Sequence, residues 1–155
     1  MSRPLRVADL FAGAGGLSEG FRQAGYRILA GSDVDPDACA TYALNFPEAR
    51  AVCGDIRELR VRREVLEAAA GADVVVGGPP CQAFSQVRNH CRLIDDSRNS
   101  LYREFVRIVG KIEPRVFVME NVPGLEHMGV KEQVLEDLAL GGAYRVSEQV
   151  LDAAD

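Results

Sequence analysis

The chain is 155 residues long and 47% hydrophobic, enough for one domain with a real core, and no second domain fits easily. Its formal charge of −5 argues against a surface built mainly to grip phosphate, so if nucleic acid is the substrate most of the grip lies elsewhere. The four cysteines, Cys39, Cys53, Cys81 and Cys91, form no CxxC pair and only His90 and His127 could supplement them; no metal site or disulfide framework is expected.

Asp9 interrupts the first apolar stretch and no run is long enough for a bilayer, which predicts a soluble, cytoplasmic protein. Leu5 to Phe11 reads as a first strand. Leu17, Phe21 and Ala24 then share a helix face that stops at Gly25. Tyr26 to Gly31 is a second strand, and Asp35-Pro36 opens a helix with an N-cap and a proline at its first position, running towards Asn45. Ala49 to Cys53 is a short third strand. Val61, Val65, Leu66 and Ala69 mark a helix ending at Gly71, whose arginines at 57, 60, 62 and 63 read as a solvated helix start because Glu58 and Glu64 interleave with them.

Asp73 to Gly77 is a fourth strand, followed by a polar stretch from Gln82 to Arg98 that is too long for a simple connector and predicts a mobile loop beside a site. Leu101, Phe105, Ile108 and Val109 face one way on the next helix. Arg115 to Met119 is a fifth strand, Val130 to Leu140 a helix and Tyr144 to Leu151 a sixth strand. Apolar strands alternating with helical patterns predict an α/β fold with a mostly parallel, doubly wound sheet.

Ligands of such sheets bind at the carboxyl ends of the strands, near the point where strand order reverses. After the first strand comes FAGAGGLS, in which Gly13, Gly15 and Gly16 permit a tight turn and close backbone approach. Asp33 follows at the end of the second strand, where a carboxylate can hold two ribose hydroxyls. Asp55 ends the third, where it could accept from an adenine amino group with Ile56 packing on the ring. The third glycine of a GxGxxG pattern is replaced by Ser18, and the compact turn makes little provision for a pyrophosphate. A nucleoside cofactor without phosphates is therefore favoured over a dinucleotide.

The nine residues GGPPCQAFS, Gly77 to Ser85, place Cys81 directly after a buried strand, with two prolines stiffening its approach. A thiol in that position reads as a nucleophile. The fifth strand ends in Glu120-Asn121-Val122, bringing a carboxyl that could donate a proton to the same edge of the sheet.

These stretches resemble the cytosine C5 methyltransferases that use S-adenosylmethionine, in family order: DLFAGAGGLS (9–18), GSDVDP (31–36), GDI (54–56), GGPPCQAFS (77–85), RNSL (98–101) and ENV (120–122). The resemblance implies a Rossmann-like methyltransferase fold, incomplete at its carboxy-terminal part, with residues 1–155 forming the cofactor-binding part of the catalytic domain. It implies that the Cys81 thiolate adds to carbon 6 of cytosine while Glu120 protonates or hydrogen-bonds N3, so that carbon 5 attacks the methylsulfonium. The base would be flipped out of double-stranded DNA and the 82–98 loop would close over it. Phe11 would contact the adenine edge, Val34 would belong with Asp33 to the ribose site, Pro80 and Leu101 would line the cofactor pocket, and Asn121 would brace the catalytic strand.

Two departures stand out. The ribose carboxylate is more often glutamate in the family, so Asp33 reaches about one methylene less far. The family's target recognition domain and closing motifs have no counterpart after Leu151, leaving the expected sheet edge at the fifth strand open. Three readings remain: a piece of a longer enzyme, the amino-terminal subunit of a split one completed in trans, or a degenerate remnant. Intact catalytic residues favour the first two. Transfer RNA as substrate and a non-catalytic S-adenosylmethionine-binding or partner subunit are the alternatives, and Ser18 and PPCQ disfavour a nicotinamide-dependent oxidoreductase. A restriction-modification context follows from the resemblance alone.

Overall fold

A computed structural model describes residues 3–80, 100–121 and 131–151. The strands are β1 (Arg6–Leu10), β2 (Arg27–Asp33), β3 (Arg50–Cys53), β4 (Val74–Gly77) and β5 (Val116–Met119); the helices are α1 (Gly16–Gln23), α2 (Pro36–Asn45), α3 (Leu59–Ala68), α4 (Ser100–Ile112) and α5 (Lys131–Leu138). All five strands run parallel in the order β3-β2-β1-β4-β5. Two compact units are separable, Met1–Pro80 with Leu101–Glu120, and Cys81–Ser100 with Asn121–Asp155; the whole sheet lies in the first.

Parallel strands covered on both faces read as continuous apolar runs, and β4, Val-Val-Val-Gly, is buried along its whole length. Alternation sends Val7, Ile28, Val74 and Val76 to one face, where they pack with Tyr42 of α2, with Phe46 just past its end and with Leu17 and Phe21 of α1. Ala8, Leu10 and Val75 face the other way and are also buried. The buried face of α4 is formed by Phe105, Ile108 and Val109, and Phe105 meets Phe117 of β5 edge to face at 6.2 Å. Each fully buried valine or phenylalanine contributes roughly 1.5–3 kcal/mol.

The helix boundaries follow local chemistry. Asp35 caps α2, its Oδ1 accepting from Asp37 N at 2.8 Å, and Pro36 takes the first helical position as expected. The basic stretch is held by carboxylates: Arg60 pairs with Glu64, Arg57 with Asp55, and Arg62 Nε lies 3.0 Å from Oε2 of the buried Glu104 on α4, without the alignment of a hydrogen bond.

Two expectations change. β2 extends to Asp33, two residues beyond the predicted end, because Ser32 and Asp33 continue the ladder with β3 opposite Val52 and Cys53. The sixth strand is not formed. After α5 a 3-10 turn, Leu140–Gly142, brings three consecutive residues to positive φ, and residues 145–151 have no ladder partner. Alternation alone does not make a strand; its backbone groups need a neighbour to pair with, and here Val150 and Leu151 are exposed. The 82–98 loop lies outside the described residues.

Candidate cofactor and catalytic site

β1 has β2 on one side and β4 on the other, so the strand order reverses between β1 and β4 and the crevice opens at their carboxyl ends. Leu10 and Gly77 are register partners there. The sequence sends the glycine loop out of β1 and the GGPP turn out of β4 at this same point.

The loop from Phe11 to Gly16 is tied down residue by residue. Phe11 has φ 59, a left-handed conformation that directs the chain off the strand. Ala12 N donates to Ser32 O at 2.9 Å, Gly13 N donates to Asp33 Oδ2 at 2.8 Å, and Asn45 Nδ2 donates to Ala14 O at 3.0 Å. Gly15, the N-cap of α1, has φ 99, and a β-carbon there would lie 2.2 Å from the Phe46 ring, so only glycine fits. Gly13 and Gly16 have open space where a side chain would be, leaving bare backbone at the mouth of the crevice.

Asp33 ends β2 with Oδ2 on Gly13 N and Oδ1 accepting from Asp35 N at 3.0 Å. Each oxygen keeps a second lone pair for a ligand hydroxyl. Val34 beside it is 65% exposed. Asp55 is more heavily committed: both oxygens accept from Arg57 Nε, at 2.9 and 3.0 Å, Oδ2 from Nη2 at 2.5 Å and Oδ1 from Arg57 N at 2.9 Å. The guanidinium holds the Asp55 carboxyl below the usual carboxylate range. Ile56 is only 5% exposed and offers a ligand little of its side chain.

β4 and β5 are neighbours in the sheet, with Gly77 opposite Met119. Glu120 N donates to Gly77 O at 2.9 Å, and a β-carbon at Gly78 would lie 2.9 Å from Glu120 Oε2. The absent side chain of Gly78 therefore lets the Glu120 carboxylate lie against the GGPP turn. Glu120 is exposed. Pro80 is exposed and Leu101, on α4, half-buried; Cys81 lies outside the described residues.

Sequence reasoning missed Asp9, Tyr42 and Asn45 and gave Ser18 no positive role. Asp9 is 1% exposed, and its Oδ2 accepts from Ser18 N at 3.1 Å and Ser18 Oγ at 2.7 Å; Ser18 Oγ lies 2.8 Å from the Tyr42 hydroxyl. A carboxylate inside the apolar run Val-Ala-Asp-Leu was the available signal. Burial pushes the Asp9 carboxyl up to about 6, against the opposing pull of the Ser18 bonds. Among the described residues no group of three or more His, Cys, Asp or Glu is placed to hold a metal ion, and no helix is long and apolar enough to cross a membrane.

A profile of the C-5 cytosine-specific DNA methylases matches residues 5–155, nearly the whole chain. The chain belongs to that family. Type II methyltransferase M.XorII of Xanthomonas oryzae pv. oryzae is 43% identical over the full chain, which covers 38% of that relative, and M1.HphI of Haemophilus parahaemolyticus is 40% identical over 97% of the chain and 42% of its own length. The chain thus spans about two fifths of the length of those relatives. It covers 65% of M.AquIA of Picosynechococcus, at 37% identity. Among solved structures, Spodoptera frugiperda DNMT2 superposes with a TM-score of 0.61 at 25% identity, covering 86% of this chain and 40% of that one. The methylase core is thus an α/β sheet of the methyltransferase type, and the sequence resemblance and the fold agree.

Proposed function

We propose that this chain is the part of a DNA cytosine C5 methyltransferase that binds S-adenosylmethionine and carries the reacting thiol and carboxyl, within a restriction-modification system. The observation that carries the reading is the convergence of the tethered glycine loop, Asp33 and Glu120 at the carboxyl edge of the sheet beside the switch point. A phosphate-free cofactor suits the loop. Gly13 N, which a pyrophosphate would need, is spent on Asp33, and that carboxylate would repel a phosphate. Phe11, Gly13, Gly15 and Gly16 would hold the nucleoside with Asp33 and Val34 at the ribose, Asp55 and Ile56 at the adenine, and Pro80 and Leu101 along the wall.

Bound S-adenosylmethionine supplies an electrophilic methyl group on a sulfonium. The chain's own residues make carbon 5 able to take it. The Cys81 thiolate adds to carbon 6 of a cytosine flipped out of duplex DNA, while Glu120 donates to N3 so that the ring's electron pair is delivered to carbon 5. After transfer a base removes the carbon 5 proton, the thiol leaves carbon 6, and 5-methylcytosine is released. Sequence reading of DNA and the other wall of the cytosine pocket belong to a carboxy-terminal half or complementing subunit.

The test joins binding to turnover. Calorimetry with S-adenosylhomocysteine on this chain is expected to give saturable binding that Asp33→Ala weakens at least about tenfold, a loss of two charge-assisted hydrogen bonds. Labelled methyl incorporation into unmodified duplex DNA, with the carboxy-terminal half of a relative supplied in trans, is expected to vanish with Cys81→Ser and fall by about 10²-fold or more with Glu120→Gln. No cofactor binding, or incorporation that survives Cys81→Ser, overturns the reading.

A further inference from the structure

We propose that Asp9, Ser18 and Tyr42 form a buried strut that positions the cofactor loop and sets cofactor affinity without any of the three touching the cofactor. The proposal rests on the cofactor reading above for its ligand, but the strut can be tested without one.

The argument begins at the N-terminus of α1. A helix leaves its first amide groups without internal partners, and the N-cap side chain ordinarily accepts from one of them. Here the N-cap is Gly15, which has no side chain to offer and cannot acquire one, because Phe46 occupies the space. The missing acceptor comes from β1. Asp9 Oδ2 takes Ser18 N, in the first turn of α1, at 3.1 Å, and so caps the helix from a neighbouring strand.

The Ser18 hydroxyl extends the chain. With Asp9 ionised, its single proton goes to Oδ2 at 2.7 Å, so the Tyr42 hydroxyl at 2.8 Å must donate to Ser18 Oγ. Asp9, Ser18 and Tyr42 are 1%, 0% and 1% exposed, so none of these bonds competes with water. The Tyr42 ring is itself clamped, since a β-carbon at Gly31 would lie 2.2 Å from it and one at Gly15 3.1 Å. A rigid path thus runs from Tyr42 on α2 through Ser18 on α1 to Asp9 on β1. The glycine loop leaves β1 just after Asp9 and enters α1 just before Ser18, so the Asp9–Ser18 link pins both ends of the loop.

Such a network is a poor device for stability alone. Asp9 Oδ1 is buried without a hydrogen-bond partner, and a half-satisfied buried carboxylate costs more than an apolar side chain of similar size. What it supplies is direction: it fixes where α1 starts, and hence where the amides of residues 13–16 point.

Tyr42→Phe and Ser18→Ala each remove one hydroxyl and leave the packing. Both are expected to speed hydrogen exchange of the amides of residues 13–18 while exchange in β4 stays unchanged. Both are also expected to weaken S-adenosylhomocysteine binding about fivefold, with the melting midpoint lowered by only about 2–4 °C, one buried hydrogen bond's worth. Asp9→Ala is expected to do more, and Asp9→Asn, which keeps an acceptor, to recover most of the loss. Thr41→Ala, on the exposed side of the same helix, serves as the control with unchanged affinity. Loop exchange identical to wild type in both hydroxyl variants overturns the strut, as does exchange that rises equally in β4 and the loop. Failure of the wild type to bind the cofactor product would instead overturn the cofactor reading, and the exchange arm would still decide the strut.

Discussion

Asp55 faces two claimants. If it is to accept from an adenine amino group, it must loosen a guanidinium that already occupies both its oxygens. Arg57 is half exposed and an exposed pair of this kind is weak, so the competition is mild. Arg57→Ala is expected to tighten S-adenosylhomocysteine binding about two- to fivefold, read by calorimetry, and a loss of affinity would mean that Arg57 holds Asp55 in its useful orientation. Gly78 predicts the opposite kind of outcome. In Gly78→Ala the new methyl clashes only with the far end of the Glu120 side chain, which can swing aside, and meets the Glu120 backbone oxygen at an ordinary contact distance. The melting midpoint should therefore hold while methyl transfer falls by about tenfold or more. Asp9 carries the pH dependence. Its folded carboxyl titrates at about 6 against about 4 unfolded, so the folded state holds the proton more tightly. Its contribution to stability is full below about pH 4 and is lost as pH rises through 6, by about 3 kcal/mol. The nearby Asp33 carboxylate adds to this by disfavouring a second negative charge. Thermal melts of Asp9→Asn should lack that fall between pH 4 and 6, and parallel curves for the variant and wild type would refute it.

At the scale of elements, α2 is the most transparent. Asp35-Pro36 announces its start, and Asp35→Ala is expected to cost about 1 kcal/mol, seen as a melting shift of about 2–4 °C. Each of the five strands was readable from a short apolar run, most simply β4, which is buried along its whole length, whereas β5 leaves Val116 and Val118 exposed and β2 runs two residues beyond its expected end. Residues 144–151 show where that reading ends. Tyr, Val, Val and Leu among polar residues make a plausible strand pattern, but pairing is decided by what lies alongside, which no local pattern contains. The site divides in the same way. The placement of the glycines, Asp33 and Glu120 at one edge of the sheet was legible because each sits at the end of an element, where α/β topology brings residues together. The Asp9–Ser18–Tyr42 path was not, since it joins a strand to two helices and exists only once Gly31 has let Tyr42 approach. Nor could sequence reveal that Arg57 covers Asp55.

For the whole molecule, the order β3-β2-β1-β4-β5 leaves β5 paired on one side only among the described residues, with Val116 and Val118 exposed at 53% and 41%. An apolar edge strand is a template for another chain. Val116→Lys with Val118→Thr is therefore expected to reduce concentration-dependent self-association measured by light scattering, and an unchanged profile would place the sticky surface elsewhere. The same sheet shapes the tempo of ligand capture. Ser32, Asp33, Asn45 and the Phe46 ring already hold the glycine loop by contacts internal to the fold, so its conformational entropy is surrendered during folding. Encounter with a cofactor then needs no slow rearrangement of that loop. The association rate should rise linearly with ligand concentration, without a plateau, and differences in affinity among loop variants should appear in how long the ligand stays.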